Sequence, residues 1–544
     1  MASALPLLPM GIQTFEELRE RNALYVDKTG YLPGLGDRGK VVFCARPRRF
    51  GKSLTVSTLD AFYTGKKELF QGLAVEGRLN SPDFTPRPVI HLDMSAVAGS
   101  VDRKILEARI IKQLAFVARR HKVALNGADS ADVFLTLLRD ISEACSEKPV
   151  LLVDEYDAPV LDALGKADLL AETREVMRDF YRQIKVAGAS LHFTFITGIS
   201  KFSRMGVFSS LNNIMDISLD SEYGAFMGYT QEELEANFGP HIEAAARALG
   251  MGEGELLDAV RERYDGFSFD GETRLYNPFS TLAFFSHKSF RNYWMESGAN
   301  SFIRDFLRDK KLSVEELRGK KVSLDFASAP GEIETTTPEG FLYQAGYLSL
   351  RRAGDGFALD FPNFEVLSAM SALYVRDFFP TDSEAMTAAM RLLEHLEGMN
   401  AEGLVEEFNR LFAGISYTDH GEAERRGLGE SFYRGLLQSF LLGAGVRVQS
   451  ERHNNLGRMD LAAEYKGRTV IIELKTAGDE ASAGDAAEEG LRQIRERDYG
   501  NAFAPPVLLL SLAVDAEKRR IRAFRFEQRR PGPEPEEEDC GPRP

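Results

Sequence analysis

The stretch KVVFCARPRRFGKSLT, residues 40–55, joins an apolar run to a Gly-Lys-Ser tripeptide and then to a segment of helical character. Nucleotide-binding loops have this order, because the N–H groups at the start of the helix and the lysine face an anion. In this stretch Arg46 replaces the usual first glycine, and Pro47 has no N–H to offer a phosphate. Because Gly-Lys-Ser also arises by chance, the rest of the chain decides whether this loop binds phosphate.

The surrounding sequence predicts an α/β domain built on a parallel sheet. Short apolar runs alternate with helix-length segments, a pattern typical of parallel strands covered by helices on both faces. Ligands of such sheets bind beyond the carboxyl ends of the strands, and Gly51-Lys52-Ser53 follows the first strand at that edge. The predicted strands are residues 40–45, 88–95, 149–157 and 191–200, with 214–219 as a fifth candidate.

A second strand end supplies carboxylates for the same edge of the sheet. The run VLLVDEYD places Asp154 and Glu155 directly after a buried strand. A bound triphosphate requires one carboxylate near Mg²⁺, and a second can orient or deprotonate the attacking water. We predict Asp154 and Ser53 as Mg²⁺ ligands and Glu155 as the catalytic carboxylate, with Gly51 and Lys52 as phosphate-binding residues. The alternative is a pair of turn carboxylates and a solvated surface lysine.

The composition indicates a large cytoplasmic protein without disulfide bonds. Its 544 residues correspond to roughly three or four folded units. The opening residues lack the features of a secretory signal, and no apolar run has the length of a membrane span. The three cysteines are far apart, which indicates free thiols. The formal charge of -15 argues against coating of nucleic acid by bulk electrostatics, although it permits a local basic channel.

Several motifs of the first half resemble one family. YVDKTGYL (25–32), RPRRFGKSL (46–54), LLVDEYDAPV (151–160), TGISKFSR (197–204), FSSLNNIMDISL (208–219) and YDGFSF (264–269) occur in that order. The chain resembles the AAA-ATPase-like family that carries a C-terminal PD-(D/E)XK nuclease-like domain. The resemblance implies ATP as the ligand and makes the arginine-rich loop a family variant, in which Arg46 and Arg49 supply charge to the phosphates. It also implies a phosphate sensor at Thr197 and Ser200, for which a strand-end cap is the alternative.

The segment GRMDLAAEYKGRTVIIELKTAG, residues 457–478, predicts a β-hairpin. Apolar residues alternate with others in two runs that meet at Lys466-Gly467, and a two-residue turn at that point pairs residue 461 with 472. This register places one apolar set on one face, because a slip of one residue would scatter it over both faces. The set is Met459, Leu461, Ala463, Tyr465, Val470, Ile472 and Leu474.

The same register brings two carboxylates together. Asp460 lies opposite Glu473, with Cβ atoms about 5 Å apart, and Lys475 projects from the same face. Carboxylates this close repel each other, and Mg²⁺ or Mn²⁺ removes the repulsion and can polarise a phosphodiester. We predict Asp460 and Glu473 as metal ligands, and Lys475 as the residue that positions water or neutralises developing charge. The alternative is a surface hairpin in which Lys475 forms a salt bridge.

The hairpin residues match the Asp and Glu-x-Lys of the PD-(D/E)XK superfamily, although no proline precedes Asp460. The resemblance therefore implies a metal-dependent nuclease. It also implies a further acid at Glu430, with Glu451 as the competing candidate, and a polar residue of the site at Gln493.

We predict four segments and one coupled function. The predicted function is ATP binding and hydrolysis coupled to a Mg²⁺- or Mn²⁺-dependent nuclease that acts on DNA in preference to RNA. The alternative is a nucleotide-switched regulatory or binding protein whose nuclease-like module holds nucleic acid or a partner without cutting it. No membrane partner is expected, and self-association through the ATPase domain is left open. The segments are an α/β ATPase-like domain (8–221), a helical lid with a winged element (222–420), an α/β restriction-endonuclease-like domain (421–527) and a disordered acidic tail (528–544).

Overall fold

The computed structural model describes residues 5–99, 101–199, 213–294, 314–323, 326, 337–354, 356–415, 429–454, 457–478 and 480–529. The chain forms two compact units. The first comprises Met1–Trp294 and Arg318–Glu365, and the second comprises Met295–Leu317 and Val366–Pro544. The predicted segment 222–420 is therefore divided between the units, because its later helices share a core with the nuclease-like segment.

The first unit contains the predicted parallel sheet. Its strands are β1 (Val41–Ala45), β2 (Val89–Asp93), β3 (Val150–Asp154), β4 (Phe193–Gly198) and β5 (Ile214–Asp216). They lie in the order β2-β3-β4-β1-β5, and all neighbouring strands are parallel, which confirms the predicted α/β fold and the fifth strand. The loop after β1 and the carboxylates after β3 therefore emerge at the same edge, with β4 between them.

Helices cover both faces of this sheet. Successive side chains of β1 point to opposite faces, so Phe43 packs in one apolar cluster while Val42 and Cys44 pack in the other. No helix in the described ranges is long and apolar enough to cross a bilayer. The helices are α1 (Phe15–Glu20), α2 (Leu32–Arg38), α3 (Lys52–Thr64), α4 (Glu76–Leu79), α5 (Arg103–His121), α6 (Ser130–Ala144), α7 (Ala158–Asp162) and α8 (Ala167–Val186).

The rest of the first unit is mainly helical and carries a small antiparallel sheet. Its elements are α9 (Gln231–Leu249), α10 (Glu253–Tyr264), α11 (Pro278–His287), β6 (Lys320–Val322), α12 (Pro338–Gln344), β7 (Ser349–Ala353) and β8 (Gly356–Asp360). Thr230 and Glu233 form a capping box at the start of α9. Strands β7 and β8 form an antiparallel hairpin around residue 355, which itself lies outside the described residues. Many aromatic side chains of this part are buried in an apolar core.

The second unit has a mixed sheet between helices. Its elements are α13 (Phe364–Arg376), whose first two residues belong to the first unit, α14 (Asp382–Glu397), α15 (Ala401–Ala413), α16 (Gly429–Gly443), β9 (Arg447–Asn454), β10 (Gly457–Tyr465), β11 (Arg468–Ala477), α17 (Glu480–Glu496), β12 (Val507–Asp515) and β13 (Arg520–Arg529). The strand order is β13-β12-β11-β10-β9, with only β11 and β12 parallel. Leu437 of α16 packs on one face, and Leu491 of α17 packs on the other.

A buried carboxyl near the end of the first unit gives a pH-dependent stability. Glu365 is fully buried, and its Oε1 accepts a hydrogen bond from the Trp294 N–H at 2.8 Å. Burial raises the pKa of Glu365 to about 7 from the ordinary 4.5. Between these values the folded state holds a proton that the unfolded state has lost, so the free energy of unfolding falls as the pH rises from about 4.5 to about 7.

We predict that Glu365→Gln removes this fall. At pH 8 the variant should exceed the wild type by up to about 3 kcal/mol, whereas at pH 4.5 the two should agree closely. Urea unfolding followed by fluorescence suits the measurement, because Trp294 is the single tryptophan of the sequence and its main-chain N–H donates to this carboxyl. An identical pH dependence in both proteins would contradict the prediction.

Candidate functional site

The loop after β1 leaves open space at the start of α3. Gly51 precedes the helix in the left-handed conformation (φ 88°), and a Cβ added to it would meet no atom within 4 Å. The N–H groups of the first helical turn have no partner within the helix, and they carry a partial positive charge. The geometry at Gly51 therefore fits an anion such as a phosphate.

Lys52 lies inside this loop and is only 5 % exposed. Its Nζ donates to the Pro47 carbonyl at 3.1 Å, so the side chain folds back under the loop. Burial lowers the pKa of Lys52, and the nearby carboxylates of Glu155 and Asp154 oppose that effect. A buried ammonium beside a neutral carbonyl is stabilised by an anionic ligand, which supports the prediction that Lys52 binds phosphate.

The predicted magnesium ligands lie near Lys52 and near each other. Burial raises the pKa of Asp154, and the nearby Ser53 hydroxyl and the charge of Lys52 lower it in part. Glu155 follows in the left-handed conformation (φ 48°), and its N–H donates to Asp154 Oδ1 at 2.9 Å. Burial raises the pKa of Glu155 as well, which makes it a stronger base. The predicted residues thus converge on one place.

Two further carboxylates near this place were missed in the sequence. Asp93 is the register partner of Asp154 at the end of β2, and its charge raises the pKa of Asp154. Asp157 is 1 % exposed and accepts from the Ile199 N–H at 3.1 Å, which anchors the chain after β4. The sequence could have identified Asp93, because this residue lies near the end of the predicted strand 88–95. The contact of Asp157 depends on the order of the strands in the sheet, which the sequence does not show.

The predicted phosphate sensor is described only in part. Thr197 is fully buried, and its hydroxyl donates to the Cys44 carbonyl at 2.7 Å. This bond joins β4 to β1 and matches the alternative of a structural strand-end residue. Ser200 lies outside the described residues.

Arg46 has a different environment from the one predicted. Its side chain is 1 % exposed and donates to the main-chain carbonyls of Ala45, Ser218 and Tyr223 at 2.9, 2.8 and 3.1 Å. A guanidinium held by three carbonyls anchors the loop to the chain that follows β5. We therefore assign Arg46 to loop anchoring and omit it from the proposed phosphate contacts, because both of its Nη atoms already donate to main-chain carbonyls inside the protein.

In the second unit the predicted hairpin register is confirmed. Strands β10 and β11 pair from Tyr465 with Arg468 to Leu461 with Ile472. The turn between them has positive φ at Lys466 and Gly467 (48° and 72°), as a tight two-residue hairpin turn requires.

The predicted apolar face is correct for all but one residue. Leu461 and its predicted partners pack together, with Tyr465 against them. Met459 was predicted wrongly, because it packs on the opposite face with Ala462 and Ile471. The described pairing with β11 ends at Leu461, and Asp460 Oδ2 instead accepts from the Leu474 N–H at 2.9 Å. This local departure from ladder geometry accounts for the broken alternation.

The predicted catalytic residues of the hairpin form one polar cluster, in which both carboxylates are buried and Lys475 is half-buried. Asp460 is 6 % exposed and Glu473 is 2 % exposed. Lys475 Nζ donates to Glu473 Oε1 at 3.2 Å and to Gln493 Oε1 at 2.8 Å, and the Gln493 amide also donates to Glu473. Burial, together with the charge of Asp460, raises the pKa of Glu473 to about 7. Gln493 on α17 thus lies where the resemblance implied.

The cluster fits a divalent cation. Glu473 Oε2 is buried and has no hydrogen-bond partner among the described residues. A buried carboxylate oxygen without a donor is costly, and a cation shared with Asp460 would satisfy it. No group of three or more His, Cys, Asp or Glu in the described part of the chain forms a complete metal site. Mg²⁺ and Mn²⁺ suit this site, because Mg²⁺ commonly uses one or two carboxylates and completes its shell with water and phosphate oxygens.

A buried arginine near the carboxylates was missed in the sequence. Arg434 of α16 is 7 % exposed, and its Nη1 lies 3.7 Å from Asp460 Oδ1. Glu430, which was predicted as a further acid, lies one turn earlier on the same helix. The side chain of its competitor Glu451 lies outside the described residues. The spacing of Glu430 and Arg434 was the available signal, because both residues share one helix face.

Together the two sites define a protein with a P-loop ATPase-like unit and a nuclease-like unit. The chain belongs to the family of predicted AAA-ATPases with a C-terminal domain of the PD-(D/E)XK nuclease superfamily. The family model for predicted AAA-ATPases matches residues 9–208, and that of the nuclease superfamily matches residues 428–523. The chain is also 31 % identical over 529 residues to an uncharacterized protein in the vnfD 5′ region of Azotobacter chroococcum mcd 1. That similarity covers 95 % of this chain and 98 % of the relative.

Proposed function

We propose that the protein binds and hydrolyses ATP at the loop after β1, and that ATP gates a metal-dependent nuclease centred on the β10–β11 hairpin. The observation that carries the proposal is the buried cluster of Asp460, Glu473 and Lys475, in which one carboxylate oxygen lacks a donor among the described residues. DNA is the proposed substrate and RNA the second choice. The preference for DNA comes from the resemblance to the nuclease superfamily.

At the ATP site each residue has a separate task. Lys52 neutralises charge on the phosphates, and the start of α3 donates its N–H groups to them. Ser53 and Asp154 would hold Mg²⁺, which would offset negative charge on the triphosphate. Glu155 orients the attacking water and accepts its proton, a task that its raised pKa favours.

At the hairpin, Asp460 and Glu473 would hold Mg²⁺ or Mn²⁺, which polarises a phosphodiester. The Leu474 N–H fixes the orientation of the Asp460 carboxylate. Lys475, held by the Gln493 amide, orients water or stabilises charge that develops on the phosphate.

Local cations support a phosphate-bearing substrate in a protein of net negative charge. Besides Arg434, the half-buried Arg497 lies near the two carboxylates. The pKa of Arg497 is raised chiefly by its hydrogen bond to the Tyr499 hydroxyl, and the charges of Glu473 and Asp460 raise it further. The guanidinium of Arg497 donates to that hydroxyl at 3.2 Å, which holds it near the carboxylates. Such cations can contact the phosphates of a nucleic acid.

Arg434 also supports the second candidate function. Its position beside Asp460 supplies a cation that offsets the carboxylate charge in the absence of a metal. A module of this kind could hold a nucleic acid or a partner without cleavage, under control of ATP.

The test is an assay of the purified full chain on labelled single- and double-stranded DNA and RNA, with and without ATP, in Mg²⁺ and in Mn²⁺. The proposal predicts metal-dependent cleavage that changes when ATP is added. Asp460→Asn serves as the control for contaminating nucleases. Binding without cleavage under every condition would support the second candidate instead.

A further inference from the structure

Residues of the phosphate loop contact a later part of the first unit. Phe50 is 1 % exposed, and its ring centroid lies 5.0 Å from that of Phe267 and 5.4 Å from that of Phe269. The guanidinium of Arg46 lies 4.3 Å from the centroid of the Phe269 ring. The loop is therefore packed against aromatic side chains that follow it by more than two hundred positions.

Arg49 makes the most specific of these contacts. Its φ of 66° is left-handed, a conformation that is costly for a residue with a Cβ. Its guanidinium lies 3.6 Å from the centroid of the Phe279 ring, at the distance of a cation–π contact. Strained backbone persists where surrounding contacts hold it, and the stacked ring is such a contact.

The local sequence fixes the Phe279 ring. Asn277 caps α11 by accepting from the Ser280 N–H at 3.1 Å, and Pro278 occupies the first turn. Phe279 therefore projects from a capped helix start, where its backbone is well determined.

Two glycines of the same region allow the main chain to approach the loop. A Cβ added to Gly346 (φ 86°) would lie 2.6 Å from Pro47 Cβ, which is shorter than the distance at which two carbon atoms can make contact. A Cβ on Gly228 (φ 94°) would lie 3.3 Å from the Phe50 ring. The loop is thus enclosed by residues from separate segments of the first unit.

We infer that Phe279 is a positioning residue for ATP binding. Phe267 and Phe269 assist it by packing against Phe50 of the same loop. The aromatic side chains hold the arginine-rich loop in the shape that a glycine-rich loop adopts through its own backbone. The inference rests on the proposed ATP site at Lys52. It makes the region beyond the sheet a part of the nucleotide site, and it explains why Arg49 and Phe50 occupy the loop.

The test is calorimetric titration of the full chain with Mg·ATP. Phe279→Leu keeps an apolar side chain but loses the ring, and should weaken ATP affinity about tenfold. Phe279→Tyr keeps the ring and should remain within about twofold of the wild type. Phe290→Leu is the matched control, since Phe290 packs in the same apolar cluster and its described ring contacts are with Tyr264 and Phe284.

A double-variant cycle identifies the contact. If Phe279 acts through Arg49, the two substitutions should not add. The double variant Arg49→Gln, Phe279→Leu should then bind Mg·ATP with the same affinity as the single variant whose affinity is lower. Undiminished affinity in Phe279→Leu, or an equal loss in Phe290→Leu, would overturn the inference while leaving the ATP site in place. Failure of the wild-type chain to bind Mg·ATP would overturn the proposed ATP site and this inference together.

Discussion

Replacing Lys52 with alanine should lower ATP affinity by at least about a hundredfold. The ammonium is buried, and it lies among the carboxylates of Asp154 and Glu155, where it offsets their charge as well as that of a phosphate. Its removal leaves a negatively charged site that repels ATP. Calorimetry with Mg·ATP measures the loss, and circular dichroism shows whether the variant is folded.

Glu155→Gln is the matched variant for this result. It removes a proton acceptor and keeps the size of the side chain, so ATP binding should persist while turnover falls by about two to four orders of magnitude. Phosphate release under saturating ATP measures turnover. Undiminished ATP affinity in Lys52→Ala would reject the assignment of the loop, and unchanged turnover in Glu155→Gln would reject the role of that carboxylate.

Asp460→Asn should reduce nucleic-acid cleavage by about a thousandfold, the scale of the charge stabilisation that a metal ion supplies. The amide keeps an oxygen that can accept from the Leu474 N–H, so the local geometry should survive while the metal loses a charged ligand. ATP hydrolysis should remain within about twofold of the wild type, because Lys52 and Glu155 belong to the other unit.

Glu464→Gln offers a control on the same strand. Glu464 belongs to β10 and accepts from Gln449 in an exposed pair, so this variant removes one carboxylate from the strand without touching the buried cluster. Cleavage by Glu464→Gln should match the wild type. Equal cleavage by Asp460→Asn and the wild type would show that the metal site is wrong.

The features predicted correctly are those set by local geometry. A two-residue turn at Lys466-Gly467 determines the pairing of the hairpin, and the pairing brings Asp460 toward Glu473. In the first unit the parallel sheet brings the ends of β1 and β3 to one edge, and Asp154 meets Ser53 for that reason. The chemical roles of these residues stay predictions.

The features that were missed depend on contacts between distant segments. Arg46 has the charge of a phosphate ligand, and only the position of the Ser218 and Tyr223 carbonyls shows that it is engaged elsewhere. Arg434 approaches Asp460 of β10 from helix α16, a contact that hydrophobic periodicity cannot reveal. The alternating pattern of the strand places Met459 on the same face as Leu461. It packs on the opposite face, because the Asp460 side chain accepts a hydrogen bond from the main chain of β11.

Paired rates from Glu155→Gln test whether ATP gates the nuclease. Phosphate release and cleavage of a labelled DNA duplex are measured in the same reactions, with and without ATP, in Mg²⁺ and in Mn²⁺. We expect this variant to bind ATP without hydrolysing it and to cut at a rate that differs from the wild type only when ATP is present. Cleavage at the wild-type rate in the presence of ATP would show that the two units act independently and would rule out gating by ATP.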